Sequence, residues 1–345
     1  QLPDLPRQPG QPLLRLLSSP TIASKEWVYR QYDHQVLTNT VVGPGCADAA
    51  VLRIRGTNKA IAMATDGNGR VCYLDPYVGG ARVVAEAARN VVCAGGQPLA
   101  LTNCLNFGNP ERPEVYYQLE QAILGMASAC RALGTPVISG NVSLYNETRG
   151  HPIYPTPVVG MVGLLEDVER RCTMAFREEG DLVYLLGTLE GELSSLAGSE
   201  YLTVEHGLVA GSPAIDLEME VKVQRCCLEA INKGLLSSAH DCSDGGLAVA
   251  LAESAIAGGL GFQGEWTVAG RRDIVLFGEA PSRIIVSGDP EKEGDLAALA
   301  RSAGVPLVKL GVVGGQSFRL PGLELSLGEI AATWRGALER ALSQT

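Results

Sequence analysis

Two tracts of the chain carry uncharged oxygen and nitrogen groups at a spacing suited to holding a metal-bound polyphosphate. LTNCLNFGNPERPE (101–114) offers the carboxamides of Asn103, Asn106 and Asn109. A carboxamide both donates and accepts, so such a row can read the edge of an adenine or ligate a metal without adding charge. PVISGNVSLYNE (136–147) follows, with Gly140 placed 37 residues after Asn103. A glycine at a strand end lets a phosphate approach the backbone. Asn141 can give a neutral oxygen to magnesium, and the Ser143 hydroxyl can hydrogen-bond a substrate. Each tract alone is only modestly specific; together they point to a nucleotide site.

Three further tracts are acidic. In VVGPGCADAAVL (41–52) a glycine turn frees backbone amides, and Asp48 is expected to enter a strand. In ATDGNGRVCYLDPYVGGA (64–81) Asp66 ends a strand, Asp75 precedes Pro76 and a glycine pair opens a helix. Carboxylates beside a helix N-terminus can hold a divalent cation that in turn holds phosphates. In AHDCSDGGLAVALAES (239–254) Asp244 is read as the N-cap of a helix at 245–257, which leaves Asp241 to face a metal. His240 has no partner nearby in sequence and is read as structural. Plain turns and caps explain several of these residues taken singly. No GxxxxGK, kinase lysine or GxSxG motif occurs, so ATP would be held by strand-end carboxamides, carboxylates and metal.

The elements that must position these groups follow from periodicity. Residues 13–32 read as helix with a break at Pro20, and 59–65 as a buried strand. Residues 79–96 form a helix with Val84, Ala87, Ala88, Val91 and Val92 at helical spacing. Strand 97–103, helix 114–133, strand 135–140 and strand 156–166 complete a first unit. A charged stretch from Asp167 to Glu179 marks a boundary. Beyond it come strand 181–187, helices 216–232 and 245–257, strand 283–288, helix 295–304, strand 306–315 and helix 327–342. Strands and helices mix without strict alternation, which predicts an α+β chain of two α/β sandwich domains: 13–166 and 167–345, after a proline-punctuated linker at 1–12.

Bulk properties agree. A chain of 345 residues with 46% hydrophobic and 19% charged side chains fits about two globular domains. A net charge of -10 opposes nucleic acid and anionic membrane as partners but not a magnesium-complexed polyphosphate. Without an apolar stretch near 18 residues or a signal peptide, the reading is cytoplasmic. Nine cysteines without a CxxC pair read as reduced core thiols rather than a zinc site. The start at Gln1 suggests a piece of something longer.

Taken in order, SKEWVYRQYDHQV (24–36), VVGPG (41–45), TDGN (65–68), YLDPYVGGA (73–81), EAARNVV (86–92), LNFGNPE (105–111), GNVSLYNE (140–147), LAGSEYL (196–202) and HDCSDGGLAVALAES (240–254) resemble the phosphoribosylformylglycinamidine synthases of the small bacterial type. The resemblance runs from Leu13 to the end. It implies an enzyme about twice this long, built of two pseudo-symmetric halves, each with an N-terminal and a C-terminal domain like those of aminoimidazole ribonucleotide synthetase. This chain resembles the second, C-terminal half. The family phosphorylates the amide oxygen of formylglycinamide ribonucleotide with ATP and magnesium. Ammonia from a glutaminase subunit, with a small accessory subunit assisting, then displaces the phosphate to give formylglycinamidine ribonucleotide. By the resemblance, Asn103 and Gly140 match ATP contacts, Asn141 a magnesium ligand and Ser143 a substrate contact. Many relatives carry Asp at position 103. Asp66 stands where the first half has a metal-binding Glu, and Asn68 where it has its catalytic His. No catalytic residue is therefore assigned here, and Asp48, Asp66 and Asp241 are left as a vestigial or structural nucleotide and metal site. The chain is expected to be inactive without the N-terminal half and to show that half an apolar face. A self-sufficient ATP-dependent enzyme of the wider superfamily and a non-catalytic nucleotide-binding scaffold are the competing readings.

Overall fold

A computed structural model describes residues 10–343. The first unit contains α1 (Gly10–Ser18), α2 (Glu26–Tyr29), β1 (Thr40–Val42), β2 (Ala50–Arg53), β3 (Ala60–Asp66), α3 (Gly69–Leu74), α4 (Pro76–Cys93), β4 (Gln97–Asn106), α5 (Pro113–Leu133), β5 (Val137–Ser143), the short hairpin β6 (Glu147–Thr148) and β7 (His151–Pro152), and β8 (Thr156–Leu165). Its six-stranded sheet has the order β1-β2-β3-β8-β4-β5. All neighbours are antiparallel except β4 and β5, which run parallel. A parallel pair needs a crossover connection, and α5 is that crossover.

The second unit contains β9 (Leu182–Leu186), α6 (Glu200–His206), α7 (Leu217–Asn232), β10 (Ser238–Asp241), α8 (Gly246–Gly258), β11 (Phe262–Gly264), α9 (Arg272–Phe277), β12 (Ile284–Gly288), α10 (Glu293–Ala303), β13 (Leu307–Val313), β14 (Ser317–Leu320), β15 (Leu323–Ser326) and α11 (Leu327–Ser343). The strand order is β10-β12-β9-β13-β11-β14-β15. Every residue of β9 is buried. Val183 and Leu185 face a core built with α1, α8 and α11, whereas Leu182, Tyr184 and Leu186 face one built with α7 and α10. Helices on both faces of a sheet make this unit a sandwich, and the two units together bear out the α+β expectation.

Several local expectations need correcting. Residues 1–9 of the expected linker lie outside the described residues, and Gly10, Gln11 and Pro12 form the first turn of α1. The buried Leu13, Leu16 and Leu17 of that helix join the core of the second unit rather than the first. Asp48 sits in a bend before β2 instead of entering a strand. Asp244 does not cap α8: Gly245, at φ 78°, holds the cap position without a side-chain bond, and its N–H donates to Glu279 Oε1 at 2.8 Å. A left-handed residue there favours glycine, so the glycine pair rather than the aspartate sets the turn. Asp75 does cap α4, accepting from Val78 N at 3.0 Å. The glycines after it serve helix packing: a Cβ on Gly80 would collide with the Ala122 carbonyl of α5, and one on Gly125 with the Tyr77 carbonyl of α4. All nine cysteines are free, and six are buried.

Among the described residues, one face of the first sheet has no helix on it. Ala60, Ala62 and Ala64 of β3 are buried under the helices, while the alternate Ile61, Met63 and Thr65 are partly or fully exposed. On β8 the residues Val158, Val162 and Leu164 are likewise only half-buried. The edge strand β5 exposes Val137, Ile138 and Val142. An open apolar face beside an unpaired edge is a surface that demands a partner. The isolated chain is predicted to self-associate through it. Met63→Lys combined with Ile138→Lys should then shift sedimentation to monomer while moving the melting temperature by no more than about 2 °C, since both positions are exposed. A monomeric parent chain would overturn this.

Candidate functional site at the β4–β5 edge

The parallel register of β4 and β5 pairs Asn103 with Gly140, Cys104 with Asn141 and Asn106 with Ser143. Residues far apart in sequence thus share two neighbouring strands. Side chains alternate along a strand, so Asn103 and Gly140 look toward α5, whereas Asn141 and Ser143 look toward the open face. The absent side chain of Gly140 is where the Asn103 carboxamide lies: a Cβ there would collide with Asn103 Oδ1. Beside it a cavity of about 220 Å³ opens between α5 and β5, lined by Asn103, Ile123, Met126, Ala127, Cys130 and Val137.

The asparagines divide by what they bind. Asn106 Nδ2 donates to Cys104 O at 3.1 Å and to Thr156 O at 3.2 Å, and Asn109 Oδ1 accepts from Glu111 N at 2.9 Å. Both are spent on their loop. Among the described residues no side-chain partner meets Asn103 or Asn141. Those two carboxamides are therefore free for a ligand. Magnesium takes six oxygens in near-octahedral array, so Asn141 fits as one ligand of several, the others coming from phosphate, water or another protein surface.

The acidic trio is arranged differently. Asp48 Oδ1 meets His240 Nδ1 at 2.6 Å, and Asp48 Oδ2 accepts the Asp241 N–H at 2.7 Å. His240 Nε2 lies 3.2 Å from Glu253 Oε2. Burial pulls this imidazole down, but Asp48 and Glu253 outweigh it and hold His240 well above its usual range. His240 thus ties a bend of the first unit to β10 and α8 of the second. Both oxygens of Asp241 are taken by Arg89 of α4, through Nε and, at 3.2 Å, Nη2. Arg89 Nη1 donates to Glu220 Oε1 at 2.8 Å, and Ser282 Oγ donates to Glu220 Oε2 at 2.6 Å. A guanidinium therefore stands where a metal was expected beside Asp241. No group of three or more His, Cys, Asp and Glu among the described residues is arranged to hold a metal ion. Among the described residues Asp66 alone of the trio lacks a side-chain partner; burial, followed by the Asp244 carboxylate, pushes its carboxyl up to about 7.

Sequence reading missed Arg89, Glu220, Glu253 and Glu279. A signal existed for Arg89, which interrupts an apolar helical stripe between Ala88 and Val91 and is 1% exposed. Charged residues in a core register announce a buried ion network.

Two outcomes follow. Arg89→Met leaves Asp241 and Glu220 buried without their cation, and should cost about 3–5 kcal/mol in urea unfolding. For Asp66, between the unfolded carboxyl's ordinary range and about 7, the folded chain keeps a proton that the unfolded chain has released. Stability therefore falls as pH rises through that window. Asp66→Asn should raise the melting temperature at pH 8 and leave it unchanged at pH 4. An equal gain at both values would remove the titration argument.

Residues 46–165 match the family model of the AIR synthase related protein, N-terminal domain, and residues 178–320 that of its C-terminal domain. The phosphoribosylformylglycinamidine synthase subunit PurL of Moorella thermoacetica is 55% identical over 344 residues, covering 98% of this chain and 46% of that protein. The chain of T. maritima PurL complexed with ATP superposes with a TM-score of 0.60 at 25% identity, covering 85% of this chain and 41% of that one. PurLQS from Thermotoga maritima gives 0.59 at 26%, over 85% and 41%. The chain spans about half the length of the curated relatives it matches. With two consecutive domain matches on the two sandwich units described above, the chain belongs to the AIR synthase related family.

Proposed function

We propose that this chain acts as the C-terminal half of a phosphoribosylformylglycinamidine synthase, turning formylglycinamide ribonucleotide into formylglycinamidine ribonucleotide at the expense of ATP, and that it is inactive alone. The observation that carries this is the register that sets an uncommitted Asn103 carboxamide over Gly140 beside an apolar cavity, with an uncommitted Asn141 one residue on along β5 and facing the open side of the sheet. Apolar walls with one polar group, the Asn103 carboxamide, suit a nucleobase. Asn103 offers it one donor and one acceptor, where an aspartate would only accept.

The chemistry asks little of the chain beyond placement. An amide carbonyl is a poor electrophile, and phosphorylating its oxygen creates a leaving group that ammonia can displace. Magnesium, when bound, offsets the charge that moves during phosphoryl transfer. Asn141 supplies it with one oxygen, and Ser143 meets the ribonucleotide. Asn68 brings no proton acceptor: it caps α3, its Oδ1 accepting from Val71 N at 3.1 Å, and a carboxamide cannot take up a proton at neutral pH. That group, and the cover over the open sheet face, come from the N-terminal half in this reading. A glutaminase subunit delivers ammonia and a small accessory subunit completes the assembly, which the PurLQS neighbour supports. No helix among the described residues is long and apolar enough to cross a membrane, which supports a cytoplasmic site of action.

Mixing this chain with the complementary half of a relative should produce turnover that needs both ATP and ammonia, with none from either half alone. Asn103→Ala should raise the KM for ATP roughly 10-fold, the scale of one hydrogen bond. Turnover by this chain alone, or none from two folded halves, would sink the proposal.

A further inference from the structure

Ser143 ends β5 and its hydroxyl does not stand alone. The chain turns back at Tyr145, whose φ of 60° is left-handed for a bulky residue, and brings Asn146 against Ser143. Such a backbone is strained and persists only where its surroundings determine it. Here they do: Tyr145 N donates to Gly108 O at 2.9 Å, Asn146 N to Phe107 O at 3.1 Å, and Ile153 N to Asn146 O at 3.1 Å. Phe107 is fully buried, so the anchor is rigid.

The orientation of the Asn146 amide follows from its partners. Asn146 Nδ2 lies 2.9 Å from Ser143 O and 3.0 Å from Phe107 O. Both are carbonyl oxygens and can only accept, so the nitrogen must face them; the flipped amide would set oxygen against oxygen. The two hydrogens of Nδ2 are then used. Asn146 Oδ1, 3.3 Å from Ser143 Oγ, is the acceptor left for the serine proton, although Nδ2 is also near Oγ at 3.2 Å. With its proton turned inward, the hydroxyl presents lone pairs outward.

We infer that Asn146 is a positioning residue that makes Ser143 a hydrogen-bond acceptor, so that the substrate group met there is a donor, an amide N–H or a sugar hydroxyl, and not a phosphate oxygen. This rests on the proposed reading of Ser143 as a substrate contact. The amide of Asn146 acts through Ser143 and touches no reacting atom.

The test uses the chain assembled with its complementary half and measures KM separately for the ribonucleotide and for ATP in Ser143→Ala, Asn146→Ala, the isosteric Asn146→Asp and the double variant S143A/N146A. Ser143→Ala, Asn146→Ala and Asn146→Asp should each raise the ribonucleotide KM roughly 5–10-fold, the loss of one neutral hydrogen bond. The KM for ATP should stay within about twofold, and the double variant should be no worse than Ser143→Ala, because coupled residues are not additive. A ribonucleotide analogue whose amide N–H or sugar hydroxyl is methylated should lose its preference for the parent over Ser143→Ala. Additive losses in the double variant, full ribonucleotide affinity in Asn146→Asp, or parallel changes in both KM values would overturn the positioning role. If Ser143→Ala alone leaves the ribonucleotide KM unmoved, it is the underlying assignment of Ser143 that fails.

Discussion

The parallel pairing of β4 with β5 is the constraint on which the rest of the first unit depends. Antiparallel neighbours can be joined by a short turn, but a parallel pair needs a crossover. Here α5 supplies it, lying on one face of the sheet and packing closely on α4 through Gly80 and Gly125. Because the crossover ends at the sheet margin, β5 has no neighbour on its far side among the described residues. The register of that single pair sets Asn103 beside Gly140 and Asn106 beside Ser143. A slip of one residue would send every side chain of β5 to the opposite face and dismantle the site. The candidate ligand groups and the open edge are therefore consequences of the same topological choice.

Charge is handled in two separate ways. At the β4–β5 edge the groups are neutral, two uncommitted carboxamides and a hydroxyl held by Asn146, which cost little to leave exposed. At the seam between the two units the groups are ionic and almost completely satisfied. Arg89 joins α4 to β10 and α7, while His240 joins β10 to the bend at Asp48 and to α8. Burying ions is expensive, and each pair here is sustained by further hydrogen bonds, from Ser282 and Gln224 to Glu220 and from the Asp241 N–H to Asp48. Such a seam resists relative motion of the units and keeps the rim of the first sheet in a fixed pose.

Periodicity made the long elements legible. The stripe Val115, Leu119, Ile123, Met126, Cys130, Leu133 marks α5, which runs Pro113–Leu133, and the apolar runs mark β3, β8, β9 and β12. Short strands such as β1, β11 and β15 were not, because three or four residues hold too little pattern to separate a strand from a turn. The pairing of Asn103 with Gly140 could be suspected from two strand-end tracts, yet their being on one face, with Asn141 on the other, depends on register. Asp241 shows the opposite limit. A carboxylate in HDCSDGG looks like a metal ligand until a partner 152 residues away, Arg89, occupies it. Long-range ion pairing leaves no spacing rule in a sequence.

An asparagine at position 68 and neutral groups at the sheet edge fit the division of labour proposed above. Asn68 has become the cap of α3, a role in which its carboxamide is anchored to a backbone N–H and cannot accept a proton. Nearby, burial raises the carboxyls of both Asp66 and Asp244; the Asp244 carboxylate adds to the rise at Asp66, while Arg70 and Arg82 oppose it at Asp244. In the proposed reading, a rim that offers Asn103, Asn141 and Ser143 would complete another half's site rather than run one of its own. The open sheet face lies on the same side as Asn141 and Ser143, so the surface that would cover the sheet would also close over those two residues.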